Sequence, residues 1–145
     1  MKVATILAAK GELVETIRPD RQITAATARL RDARIGALVV STDGQDVKGI
    51  ISERDIVRGI AERGAAALEL TVRNLMTPKV ITCTPDDSVT HLMKLMTSKR
   101  IRHVPVIAAD GDLRGIVSIG DVVKNRLEEL ELEATVLRDA YITRG

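Results

Sequence analysis

Residues 49–57 read GIISERDIV, and residues 115–123 read GIVSIGDVV. Each copy is a glycine, two β-branched residues, a serine, and an aspartate three residues after the serine. Sliding the chain on itself by 66 positions aligns residues 16–58 with 82–124 without a gap, and 13 of the 43 positions are identical. Among them are Thr16/Thr82, Arg34/Arg100, Gly49/Gly115, Ser52/Ser118 and Asp55/Asp121. Upstream the match resumes with three extra residues in the first copy, which sets VATIL (3–7) beside VRNLM (72–76). The chain is a tandem duplication. Its opening MKVATILAAKGE has the lysine and alanines of a stunted export signal, but the counterpart at 72–76 marks it as a structural lead-in.

Each copy carries its own secondary-structure code. After TIRPD and TCTPD, small or apolar residues recur at Ile23, Ala26, Thr27 and Leu30, and at Val89, Leu92, Met93 and Met96, the spacing of an amphipathic helix. Proline and aspartate just ahead suit a helix start. The runs IGALVV and IRHVPVI, the turn-prone STDGQD and AADGD, and then VKGII and LRGIV predict a hairpin around an Asp-Gly turn. Pro105 cannot donate to a ladder, so its strand is an edge or its nitrogen faces outward. After Ser52 and Ser118 the period is helical again. The unit is β-α-β-β-α, too small to make a core alone, so the two copies should pack together. Residues 1–61 hold the lead-in and first repeat, 62–125 the second repeat, and 126–145 a helical extension. In that extension Val123, Leu127, Leu130, Ala134, Leu137 and Tyr141 form a short heptad stripe. The stripe suits either a helix lying on its own domain or a dimer contact.

Composition removes several functions. Lys+Arg number 22 and Asp+Glu 20, a net charge of +2 with both signs scattered, so there is no basic footprint for a phosphate backbone. Tyr141 is the only aromatic residue, which leaves no platform for stacking bases. No nucleic-acid partner is therefore expected. No apolar run reaches the ~18 residues of a membrane span. One cysteine, Cys83, cannot make an internal disulfide and fits a reducing, cytoplasmic setting. Cys83, His91 and His103 lack paired ligand spacing, so no metal is expected. No Walker loop, Gly-x-Ser-x-Gly elbow or Gly-x-Gly-x-x-Gly occurs, and no nucleophile is paired with a base, so no enzyme is expected.

The repeated Ser-x-x-Asp has two readings. One is a capping box, in which the serine oxygen accepts an N3 amide proton and the acid accepts the cap amide proton. The other is a ligand site: a helix N-terminus favours phosphate, and a carboxylate can hold the vicinal hydroxyls of a ribose. Its recurrence at the same strand-to-helix junction of both copies speaks for the second.

The order of these features, with LMTPKVITCTPDDSV and KRIRHVPVIAADGDLRGIVSIGDVV in the second copy and TIRPDRQITAATARLRDARIGALVVSTDGQDVKGIISERDIV in the first, resembles a pair of CBS domains, the cystathionine β-synthase regulatory motif. The resemblance covers about residues 2–125. It implies an α+β fold of two repeats with pseudo-twofold symmetry, pairing of two modules into a homodimer, and clefts for adenosine-containing ligands such as AMP, ADP, ATP, NAD(H), S-adenosylmethionine or cyclic di-AMP. Carried over by position, Asp55 and Asp121 hold ribose, Ser52 and Ser118 face phosphate or adenosine, and Thr16 and Thr82 contact the base. Ala37, Ile51, Val104, Pro105 and Val117 supply apolar walls, and Arg54, Arg102 and His103 the cations for phosphate. Arg54 also fits a solvated helix-face charge, and His103 a strand residue with a local partner. The first copy has Gly36 and Ala37 where the second has Arg102 and His103, and Gly120 stands opposite Arg54. Each repeat thus brings half the basic equipment, and the sequence leaves open whether the halves share a cleft. The expected function is an adenine-nucleotide sensor of energy or redox state that signals to a partner protein; the rival is a ligand-free dimeric adaptor.

Overall fold

The lead-in forms a helix, α1 (Val3–Lys10), in the computed structural model of this chain, which describes residues 1–11 and 14–144. The first repeat follows as β1 (Thr16–Ile17), α2 (Ile23–Ala33), β2 (Ala37–Val40), β3 (Gly49–Ser52) and α3 (Glu53–Arg63). A 3-10 helix (Gly64–Glu69) and the short α4 (Val72–Leu75) lead to α5 (Val89–Lys99), β4 (His103–Ile107), β5 (Leu113–Ser118) and α6 (Ile119–Arg144). Among the described residues, no helix is long and apolar enough to cross a membrane.

The helical periods land where their apolar faces can be buried. Ile23, Ala26 and Leu30 of α2 enter one core with Leu38, Val40, Ile51 and Ile56. Val89, Leu92 and Met96 of α5 enter a second with Val104, Val106, Val117 and Val122. Both hairpins form: β2 pairs antiparallel with β3 from Ala37↔Ser52 to Val40↔Gly49, and β4 with β5 from His103↔Ser118 onward. Gly44 and Gly111 take φ of 85° and 90° at the turns, a conformation that a Cβ disfavours. In the first turn the Asp46 carboxylate accepts hydrogen bonds from the Ser41 hydroxyl and from the amide and hydroxyl of Thr42. Those donors hold its pKa far below the ordinary carboxylate range.

The repeats differ at their first strand. β1 runs parallel to β2, with Val39 donating its amide proton to Glu15. Pro105 occupies the matching position and has no proton to give. The second copy of β1 is accordingly reduced to an isolated bridge between Cys83 and Val106.

The lead-in segments are exchanged. Although α1 precedes the first repeat, it completes the second: Val3, Ile6 and Leu7 belong to the core of α5, β4 and β5. Val3 and Ala4 donate amide protons to Asp87 and Pro85, and Val89 donates to Met1. The segment around α4 precedes the second repeat and completes the first, where Val72 is fully buried. Val72 and Arg73 donate to Arg21 and Pro19, and Ile23 donates to Leu70. These are the same three bonds, related by the repeat offsets read from the sequence.

The repeated glycines sit where exchanged segments press on strands. A Cβ on Gly49 would stand 2.6 Å from the Thr77 carbonyl oxygen, which itself accepts from Ile50. A Cβ on Gly115 would meet the Leu7 Cδ2 at 2.5 Å. Backbone cannot swing aside and a leucine can, so Gly49→Ala is expected to cost about 1–3 kcal/mol and Gly115→Ala clearly less. Urea denaturation of the two variants checks the order.

Candidate functional site

Both Ser-x-x-Asp boxes are closed. The Asp55 Oδ2 accepts the Ser52 amide proton at 2.9 Å, and the Ser52 Oγ accepts the Asp55 amide proton at 3.3 Å. In the second copy the Asp121 Oδ2 accepts from the Ser118 amide at 2.9 Å and the Ser118 Oγ from the Asp121 amide at 3.1 Å. An ionised carboxylate offers about four lone-pair sites, so capping does not exhaust either acid. Among the described residues the Asp55 Oδ1 accepts only the Thr77 hydroxyl, at 3.1 Å.

Each box borders a cleft walled by both repeats. The first, about 370 Å³, gathers Ser52, Arg54, Asp55 and Arg58 from the first repeat with Arg100, Arg102 and His103 from the second. Its size falls in the range of small-molecule sites, roughly 300–1,000 Å³. The two halves of the basic equipment therefore share one cleft. All four arginines are exposed, and none of their guanidinium groups makes a hydrogen bond or ion pair among the described residues. The second cleft, about 390 Å³, is lined by Lys10, Glu15, Arg34, Ala37, Ile116, Ser118 and Asp121. Gly36 and His103 border both clefts; a Cβ on Gly36 would lie 3.2 Å from the His103 ring, so a side chain there would press on the partition.

The acids are not equivalent. Asp121 carries an ion pair with Lys10, Nζ to Oδ2 at 2.6 Å. Burial pushes the Asp121 pKa up, but hydrogen bonds from Lys10 and the Ser118 amide, and the Lys10 charge, outweigh it and leave it below the ordinary value. His103 is half-buried; that burial, reinforced by the Lys10 and Arg102 charges and opposed by Glu53 and Asp121, lowers its pKa below 6.5.

Other expected residues lie elsewhere. Ile51, Val104 and Val117 are fully buried inside their own repeats, and Pro105 is buried in β4. The apolar walls are instead Ile50 and Ile116, one residue earlier, because alternate side chains of a strand point to opposite faces. Thr16, half-buried in β1, and Thr82, exposed ahead of Cys83, line neither cleft. Arg34 and Arg100 were not among the expected residues, yet they line the second and first clefts respectively. Each closes the helix before it, α2 or α5, at φ 56° and 54°. That left-handed position normally takes glycine, and a non-glycine residue there costs of order 1–3 kcal/mol. The strain accompanies a guanidinium placed at each cleft. The visible signal was their identity in both copies.

Among the described residues, no group of three or more His, Cys, Asp or Glu side chains gathers as a metal site. Cys83 is buried, which together with the Asp87 charge pushes its thiol up to about 12.

The model of the CBS domain matches twice, at residues 12–62 and 72–128. A mitochondrial CBS domain-containing protein of Arabidopsis thaliana is 42% identical over 130 residues, 87% of this chain, which spans 62% of that relative's length. A crystal structure of a CBS-domain containing protein from Agrobacterium tumefaciens superposes with a TM-score of 0.81 at 44% identity, covering 86% of this chain and 98% of that one. A CBS domain protein from Pyrobaculum aerophilum, complexed with AMP, superposes at 0.78 with 26% identity, covering 92% and 99%.

His103 offers a direct reading of the partition. Its titration midpoint by NMR is expected below 6.5, moving up in Lys10→Met and further down in Glu53→Gln. Because the folded value is the lower one, the unfolded chain takes up the proton first. The stability tied to neutral His103 is complete above pH 6.5 and declines from there toward the folded value.

Proposed function

The chain belongs to the CBS domain family, as a pair of CBS domains, and on that premise we propose that it is a regulatory module for a phosphate-bearing adenosine ligand: AMP, ADP, ATP or NAD(H). The first cleft holds it. The observation that carries this reading is the set of four unpaired guanidinium groups of Arg54, Arg58, Arg100 and Arg102 around an anchored acid. Asp55, fixed by its own helix cap, keeps lone pairs for ribose hydroxyls, and Ile50 flanks the base. Guanidinium recognises phosphate with paired donors, and the α3 N-terminus adds to the field. The AMP complex of the Pyrobaculum relative supports the ligand class.

The role is binding rather than catalysis. Asp55 is engaged by the Ser52 amide and hydroxyl and by Thr77, which suits holding a sugar better than moving a proton. Occupancy signals only if the ligand binds two states with different affinity, and the listener is a partner protein. We place the module in a reducing compartment, the cytoplasm in this reading, because its lone Cys83 forms no internal disulfide.

Two modules pair in this reading. Val57 on α3 and Val123 and Leu127 on α6 are 65%, 50% and 55% exposed, apolar side chains that a second copy would cover. Light scattering is expected to give a dimer, and Leu127→Glu a monomer.

A thermal-shift panel of AMP, ADP, ATP, NAD⁺, NADH and S-adenosylmethionine tests the ligand. A compound at 100 times its dissociation constant adds about 2.7 kcal/mol. At least one phosphate-bearing compound is expected to stabilise the fold, and cationic S-adenosylmethionine to do so least. Asp55→Asn should abolish the shift while still capping α3, and Arg102→Met should weaken binding about tenfold or more. A flat panel overturns the reading and leaves the ligand-free adaptor.

A further inference from the structure

We propose that Lys10 is a tethered occupant of the second cleft, and that it restricts the protein to one nucleotide per chain. This rests on the reading of the clefts as nucleotide sites and adds which of them is open. The Lys10 Nζ donates to the Asp121 Oδ2 at 2.6 Å and to the Ile116 carbonyl at 2.7 Å. These are the carboxylate that would hold a ribose and the backbone of the residue that would flank the base.

The ammonium is held there by the fold. α1 is fixed to the second repeat through Val3, Ile6 and Leu7 and by the bonds of Val3 and Ala4 to Asp87 and Pro85. Lys10 ends that helix. A group tethered so close competes at an effective concentration in the millimolar range or above. Charge agrees: Lys10 and Arg34 in this cleft face Glu15 and Asp121, a neutral balance, against four arginines facing Glu53 and Asp55 in the first.

The repeat supplies an internal control. Lys79 occupies the position matching Lys10, yet it is exposed and makes no ion pair among the described residues. The cause lies upstream. α4 stops at Leu75, and Thr77, just before Pro78, turns extended to exchange two backbone hydrogen bonds with Ile50. Its hydroxyl, not an ammonium, then meets Asp55. One cleft keeps a charged acid for a ligand while the other has its charge already matched.

Calorimetric titration with ADP reads the number of sites. Wild type is expected to bind one per chain and Lys10→Met two, the second at least about tenfold tighter than in wild type, because apparent affinity scales with the open fraction. Lys10→Gln, with a polar tip at the helix end, should match. Adding Asp55→Asn to Lys10→Met should leave one site. Two sites in wild type, or one in both proteins, overturns the inference while leaving the first-cleft reading intact. None in wild type and one in Lys10→Met sinks that reading and the count of one per chain, while upholding Lys10 as the occupant of the second cleft. None in either sinks both.

Discussion

The exchange of lead-in segments is the constraint on which the rest of the molecule depends. A repeat of this size cannot bury enough surface to fold by itself, and here each core lacks one side until a segment from beyond its own boundary arrives. Val3, Ile6 and Leu7 supply it for the second repeat and Val72 for the first. Burying residues of this kind contributes about 1.5–3 kcal/mol each, and the three mirrored amide bonds fix their depth. Neither half can move far from the other without opening a core. The clefts, with walls drawn from both halves, inherit that rigidity.

Within this frame the capping box and the ligand site are not rivals. A helix N-terminus must find partners for its first amides, and Asp55 and Asp121 satisfy the cap through one carboxylate oxygen. Pinned in that way, the acid keeps little rotamer freedom to lose when a ligand arrives, so its remaining lone pairs are presented at low entropic cost. What distinguishes the clefts lies around the acids. Arg54 and Arg102 in the first have Gly120 and Gly36 as their repeat counterparts, and the shared scaffold has thereby become one basic cleft and one balanced one.

Much of this was legible in the sequence. The duplication, the β-α-β-β-α order, both hairpins and the Ser-x-x-Asp junctions follow from periodicity and self-similarity, which local chemistry dictates. What escaped depended on orientation or on distant pairing. Ile50 and Ile51 are the same residue type, so nothing in their composition says which faces the cleft; the strand pairing decides. Arg34 and Arg100 stood out in the sequence only as identical positions of the repeat, and their left-handed φ at the helix ends is a structural finding. Lys10 meets Asp121 across 111 positions, through a helix that belongs to one repeat in sequence and to the other in space. The loss of a regular first strand in the second repeat was present in Pro105, but its consequence needed the Val39 bond for comparison.

The C-terminal helix resolves one alternative and sharpens a question. α6 runs 26 residues, about 39 Å at 1.5 Å per residue. Val122 and Asn125 near its beginning are buried, whereas residues 131–142 are all exposed. The stripe from Val123 to Tyr141 therefore does not lie on its own domain. The first turn of this helix contains Asp121, so the carboxylate that caps α6 is the one held by Lys10. Any event that draws Lys10 away changes the charge at the first turn of α6. A negative charge at a helix N-terminus is worth a few tenths to about one kcal/mol, and the Lys10 contact and the α6 cap act on the same carboxylate. Cleft and exposed stripe thus lie on one continuous helix, with Asp121 in its first turn and Leu127 to Tyr141 beyond it.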